Sequence, residues 1–131
     1  MKQVIVVGHG GFPGGLQSAA EMILGKRDNV HYVGMTEEMG VHGFTQALSK
    51  ILESISGGEV VVLADILGGS PLNNTAACLN ERGILEKSMI FTGANLPSLI
   101  FVISSLDDYT MGELKEQTLL EQANFFSFIR L

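Results

Sequence analysis

Two short runs, Val4-Ile5-Val6-Val7 and Val60-Val61-Val62-Leu63-Ala64, are apolar at every position and rich in β-branched residues. A strand with one solvated face alternates apolar and polar residues. A run without alternation is buried on both faces, as in the middle of a parallel sheet. Each run ends in a polar residue and a glycine-rich turn, and a helical pattern follows. The first continues as Gly8-His9-Gly10-Gly11-Phe12-Pro13-Gly14-Gly15-Leu16, the second as Asp65-Ile66-Leu67-Gly68-Gly69-Ser70-Pro71. Parallel strands need such crossovers, and repeated strand–helix alternation implies a sheet with helices on both faces.

Taken in order, residues 3–8 form the first strand. A helix runs from Pro13 to Gly25 with Leu16, Ala19, Ala20, Ile23 and Leu24 as its apolar stripe. Val30 to Gly34 is a short strand. Residues 41–56 form a helix, with Val41, Phe44, Leu48, Ile51, Leu52 and Ile55 on one face and Gly57-Gly58 ending it. A third strand covers Glu59 to Leu67. Ser70 is a favoured N-cap and Pro71 suits the first helical position, so a helix opens there and runs to about Glu81. Met89 to Thr92 is a fourth strand, and Asn95 caps a helix whose apolar body is Leu99 to Ile103. Thr110 and Glu113 match a capping box opening a last helix to about Asn124, and Phe125 to Leu131 supplies a terminal strand. The expected fold is α/β: an open, mostly parallel sheet with helices on both faces. In the flavodoxin-like order, strands one and three would flank the switch point.

With 131 residues the chain is read as one domain, 1–131. At 46% hydrophobic and 17% charged it can bury a substantial core. The net charge of −6, with no cluster of Lys and Arg, argues against nucleic-acid binding. A single cysteine rules out an internal disulfide and fits a reducing compartment. The N-terminus lacks a signal peptide's apolar core and no stretch is long enough to span a bilayer, so a cytoplasmic location is expected.

Ligands of open α/β sheets bind outside the carboxyl ends of the strands. His9 and Asp65 both fall there. Neutral imidazole is a good nucleophile; a carboxylate on one ring nitrogen fixes the tautomer and stabilises the cation formed on attack. Backbone N–H groups of Gly10, Gly11, Gly68 and Gly69, with Ser70 at a helix N-terminus, would hold phosphoryl oxygens. The constellation suits a reversible phosphohistidine and calls for no cofactor and no metal. Plainer roles exist for each residue. His9 can cap a strand end, Asp65 can cap a turn, Ser70 can cap its helix, and Asn95 reads as structural. His31 and His42 have no acidic neighbours at ligand spacing. Cys78 and the scattered methionines, Met22 among them, read as core filler. Glu37-Glu38 and Asp107-Asp108 are solvated acids that a basic carrier protein could also use. No Rossmann, Walker, zinc or nucleophile-elbow motif is present.

Gly8-His9-Gly10-Gly11-Phe12-Pro13-Gly14-Gly15-Leu16-Gln17-Ser18-Ala19 with Glu21-Met22-Ile23-Leu24-Gly25 resembles the IIA domain of the mannose-family sugar phosphotransferase system. Asp65-Ile66-Leu67-Gly68-Gly69-Ser70-Pro71-Leu72-Asn73 is similar to that family's second motif, and Thr92-Gly93-Ala94-Asn95-Leu96-Pro97 to its third. The resemblance implies that His9 accepts a phosphoryl group from HPr and passes it to a IIB domain. Asp65 would orient the ring, and Ser70 and the glycine-loop amides would hold the oxygens. It also implies a cytoplasmic homodimer sharing a C-terminal strand and an indirect link to the membrane IIC/IID complex; the sequence shows no linker or IIB domain, so the IIB component is expected on a separate chain. Gly8 departs from the serine common in the mannose branch, and Gly-His-Gly-Gly-Phe is closer to the amino-sugar branch. Other readings are a phosphotransfer subunit for dihydroxyacetone kinase, a tetrapyrrole chelatase using His9 as a metal ligand, or a module binding an anionic metabolite.

Overall fold

A computed structural model describes residues 1–55 and 58–131. Four parallel strands, β1 (Gln3–His9), β2 (Val30–Met35), β3 (Val60–Ala64) and β4 (Ser88–Thr92), lie in the order β2-β1-β3-β4. Among the described residues six α-helices connect or follow them, α1 (Phe12–Leu24), α2 (Gly40–Ser54), α3 (Ser70–Glu81), α4 (Leu96–Ser105), α5 (Met111–Leu120) and α6 (Gln122–Phe125), and a short 3-10 turn, Leu85–Lys87, leads into β4. The sheet is parallel throughout and has the expected switch between β1 and β3.

The two unalternating runs are the central strands, and Val4 to Val7 and Val60 to Ala64 are buried completely or nearly so. Val4, Val6, Val61 and Leu63 face Leu16, Ala20, Leu99, Val102 and Leu114 on α1, α4 and α5. Ile5, Val7, Val60 and Val62 face Phe44, Leu48, Leu52 and Leu79 on α2 and α3. The period-2 geometry of a strand thus feeds two separate cores, one on each face of the sheet.

Several expectations are corrected. β3 ends at Ala64, three residues before Leu67, because the backbone turns at Asp65 to reach Gly68, which has φ +76°. Ser70 is the first helical residue of α3 rather than its N-cap; Gly69 occupies the cap position and no side chain caps it. Met22 is 86% exposed, so it is not core filler, and Ile23 and Val41 are exposed as well. α1 buries Pro13, Leu16 and Ala20 and α2 buries Phe44, Leu48 and Leu52, with Ile51 and Ile55 partly buried beside them. α2 ends at Ser54, and the Gly57 of its expected stop lies outside the described residues. The last helix is two, α5 and α6, broken at Glu121. Residues 126–131 form no strand in this chain and are exposed throughout.

Candidate functional site

His9 is the last residue of β1, and Asp65 is the first residue beyond β3. The register pairs Val7 with Ala64, and the Asp65 amide donates to the Val7 carbonyl at 3.2 Å. The two side chains are therefore brought together by the sheet itself. Asp65 Oδ2 accepts from the His9 amide at 2.8 Å and lies 2.7 Å from His9 Nδ1. Asp65 Oδ1 accepts from the Ile66 amide at 2.8 Å. Burial pushes the Asp65 carboxyl up, but the bonds from the His9 ring, the His9 amide and the Ile66 amide outweigh it and hold the group below its ordinary value. An ionised carboxylate only accepts, so the neutral His9 ring carries its proton on Nδ1 and leaves the Nε2 lone pair free. The two exposures differ usefully: the His9 side chain is 51% exposed and that of Asp65 only 11%. The ring is open to a partner while its anchor is sheltered.

Glycines allow this close approach. A Cβ on Gly8 would lie 3.0 Å from the Asp65 carboxyl carbon, and one on Gly69 would lie 3.0 Å from His9 Cε1. Neither glycine has a positive φ, so proximity rather than backbone conformation is what a side chain would disturb. Gly10, at φ +55°, turns the chain out of β1, and its amide donates to the Met35 carbonyl on β2 at 2.8 Å. Gly68 makes the equivalent turn on the other side, its carbonyl accepting from Asn73 Nδ2 at 3.3 Å.

Helices α1 and α3 begin immediately after these turns, with Gly11 and Gly69 at their cap positions and no side-chain cap on either. Their first-turn N–H groups and positive dipole ends therefore open onto the crevice that holds His9. Pro13 and Pro71 each sit in a first turn, where a missing N–H breaks no helical bond. The Ser70 hydroxyl accepts from Asn74 Nδ2 at 3.0 Å, which fixes its direction on the first turn of α3. His9, Asp65, Gly10, Gly11, Gly68, Gly69 and Ser70 thus share one end of the sheet.

Two contributors were not visible in the sequence. The Met35 carbonyl anchors Gly10, and backbone acceptors leave no residue-type signal. Asn74 holds Ser70, and its i+4 spacing from that serine was the available clue. His31 lies elsewhere: its Nε2 sits 2.9 Å from Gln3 Oε1, and burial lowers its pKa. Asn95 is the expected structural cap, its side chain accepting from the Ser98 amide at 2.9 Å.

The chain as a whole is similar to known proteins. A family model described as PTS system fructose IIA component matches residues 3–119. The fructose-specific EIIA component of Bacillus subtilis strain 168 is 31% identical over 115 residues, covering 87% of this chain and 77% of that protein. The mannose-specific EIIAB component of Escherichia coli K12 is also 31% identical, over 113 residues, but this chain spans only 33% of it. Among solved structures, the phosphotransferase system component EIIA from Streptococcus agalactiae superposes with a TM-score of 0.85 at 28% identity, covering 98% of this chain and 97% of that one. The chain belongs to the mannose-type IIA family of sugar-transport phosphotransferase systems.

Proposed function

We propose that this chain is a cytoplasmic phosphocarrier in which His9 Nε2 accepts a phosphoryl group from a phosphohistidine of HPr and passes it to a IIB component. The observation that carries the reading is the 2.7 Å contact between His9 Nδ1 and Asp65 Oδ2 at the β1/β3 switch. It leaves Nε2 as the nucleophile. In the forward step the donor's P–N bond breaks and an Nε2–P bond forms. The Nδ1 proton stays in place, and the resulting cationic ring faces the Asp65 carboxylate. Amides of Gly11, Gly68 and Gly69 and the Ser70 hydroxyl supply the candidate donors for the phosphoryl oxygens, whereas the Gly10 amide, expected among them from the sequence, is taken by the Met35 carbonyl. Positioning and charge dominate such transfers, and the site offers both.

Both partners must reach Nε2. Phe12 at the start of α1, and Ile66 and Leu67 in the turn after β3, are exposed to 39%, 54% and 80% and give an apolar rim for a docking protein. We read residues 1–131 as a single IIA domain, with the membrane IIC/IID complex reached only through a IIB component. A homodimer built through the C-terminal segment completes the reading.

The test is intact-mass spectrometry after incubation with phosphoenolpyruvate, enzyme I and HPr. A single acid-labile phosphoryl adduct is expected, and it should be absent from His9→Ala. No adduct, with both carriers active on a control acceptor, would overturn the proposal.

A further inference from the structure

Gly34 lies on β2, outside all three motifs, yet it is the most crowded glycine near the site. Its φ is not positive, so any residue could adopt its backbone conformation. A Cβ there would overlap the Gly10 carbonyl oxygen and come within 3.5 Å of Pro13 Cδ. A backbone carbonyl and a buried proline ring allow no rotamer change to relieve such a clash. Gly34 is therefore needed for what approaches it.

What approaches is the peptide that joins Gly10 to Gly11. Its carbonyl packs against Gly34, on the β2 side of β1. In a trans peptide the C=O and N–H point in opposite directions, and the described residues contain no cis bond. The Gly11 N–H is thus turned away from Gly34. In the order β2-β1-β3-β4, His9 and Asp65 meet on the far side of β1 from Gly34. The preceding peptide is pinned by the Gly10 amide on the Met35 carbonyl at 2.8 Å. The following one is pinned by the Gly11 carbonyl, which accepts from the Gly15 amide at 2.9 Å.

We propose that Gly34 is a positioning residue: its missing side chain lets the Gly10 carbonyl seat on β2, and this aims the Gly11 N–H at a phosphoryl group on His9. The inference rests on His9 being a phosphoryl acceptor but not on which protein supplies the group. It is tested with phosphoramidate, a small donor whose P–N bond breaks as Nε2–P forms, with ammonia leaving. On phosphorylation of the ¹⁵N-labelled protein, the Gly11 amide proton is expected to move farther downfield than that of Gly10, whose N–H is already taken by Met35. Gly34→Ala is expected to slow phosphorylation about tenfold or more, a fraction of the loss seen when an oxyanion donor is removed outright. Gly112→Ala, in open space on α5, should match the parent.

An unmoved Gly11 amide in a protein whose phosphorus spectrum shows phosphohistidine would overturn the proposal. So would a folded Gly34→Ala chain phosphorylated at the parental rate, or a parent that phosphoramidate does not modify. If Gly34→Ala does not fold, the Gly11 amide of the parent decides alone. A parent modified by phosphoramidate but not through HPr would leave Gly34 in its role and remove the carrier reading.

Discussion

Asp65 uses its two oxygens for different ends. Oδ1 holds its own turn through the Ile66 amide, while Oδ2 takes both N–H groups that His9 offers. Asp65→Asn would keep the shape but offer an NH₂ or a weaker acceptor to Nδ1, favouring the tautomer with its proton on Nε2. Phosphorylation of His9 is expected to fall by about 100-fold or more, since an Asp→Asn change that leaves a catalytic histidine in the wrong tautomer costs up to about 10⁴; quench-flow with labelled phosphoenolpyruvate would measure it. The same carboxylate has a linked effect on stability. Its pKa is depressed in the folded chain, so between that value and the ordinary one near 3.8 the unfolded chain binds more protons. The stabilisation is full above the ordinary value and is lost as pH falls through the depressed one. Urea midpoints followed from about pH 5 down to about pH 3 should fall more steeply for the parent than for Asp65→Asn. His9 and Asp65 were legible in sequence because their residue types carry chemistry and each follows a buried run. The close approaches of Gly8, Gly69 and Gly34 were not, because each depends on an atom far away in the chain.

At the scale of elements, the strands read clearly because the middle of a parallel sheet admits no alternation. The helices read less well in detail. The apolar stripes assigned to α1 and α2 included Ile23 and Val41, yet the buried rows are narrower, Pro13, Leu16 and Ala20 on α1 and Phe44, Leu48 and Leu52 on α2. Caps were recognised wherever a side chain makes them: Asn95 with Ser98 on α4, and Thr110 with Glu113 on α5. Ser70 misled because the chain puts a glycine at that cap and leaves the helix end open to the crevice. A second polar oddity lies on α5. Thr118 is 4% exposed, and among the described residues its Oγ1 is a buried oxygen with no hydrogen-bond partner. It lines a cleft of about 210 Å³ together with Leu63, Phe91, Val102 and Phe125. Val has nearly the same shape without the hydroxyl. Thr118→Val is therefore expected to raise stability by about 1 kcal/mol, since an unsatisfied buried hydroxyl costs about that much or more. Thermal unfolding would detect the gain, and an unchanged or lower midpoint would show that the hydroxyl has a partner in solution.

For the whole molecule, the sheet order was legible because strand–helix alternation with one hand of crossover leaves few arrangements. The fate of residues 126–131 was not, since six residues carry too little pattern to name their partner. The segment leaves the body firmly held: Asn95 Nδ2 donates to the Phe125 carbonyl at 2.9 Å, and the Phe125 ring lies 5.7 Å from that of Phe101. Beyond that anchor, Phe126, Phe128 and Ile129 are exposed to 88%, 89% and 73%. Nearby, β4 pairs only with β3 among the described strands and keeps a free edge. An unpaired edge is a template for another strand, and an apolar tail in water gains about 25 cal/mol for each Å² it buries. A second copy offers both the edge and the matching tail, and a two-fold arrangement would satisfy the two together. The expected result in sedimentation velocity is a dimer for the full chain and a monomer for a chain ending at Phe125. Because His9 and Asp65 are supplied by β1 and the β3 loop alone, the truncated chain should still take one phosphoryl group. A monomeric full chain would remove the tail from the assembly and leave the carrier chemistry untouched.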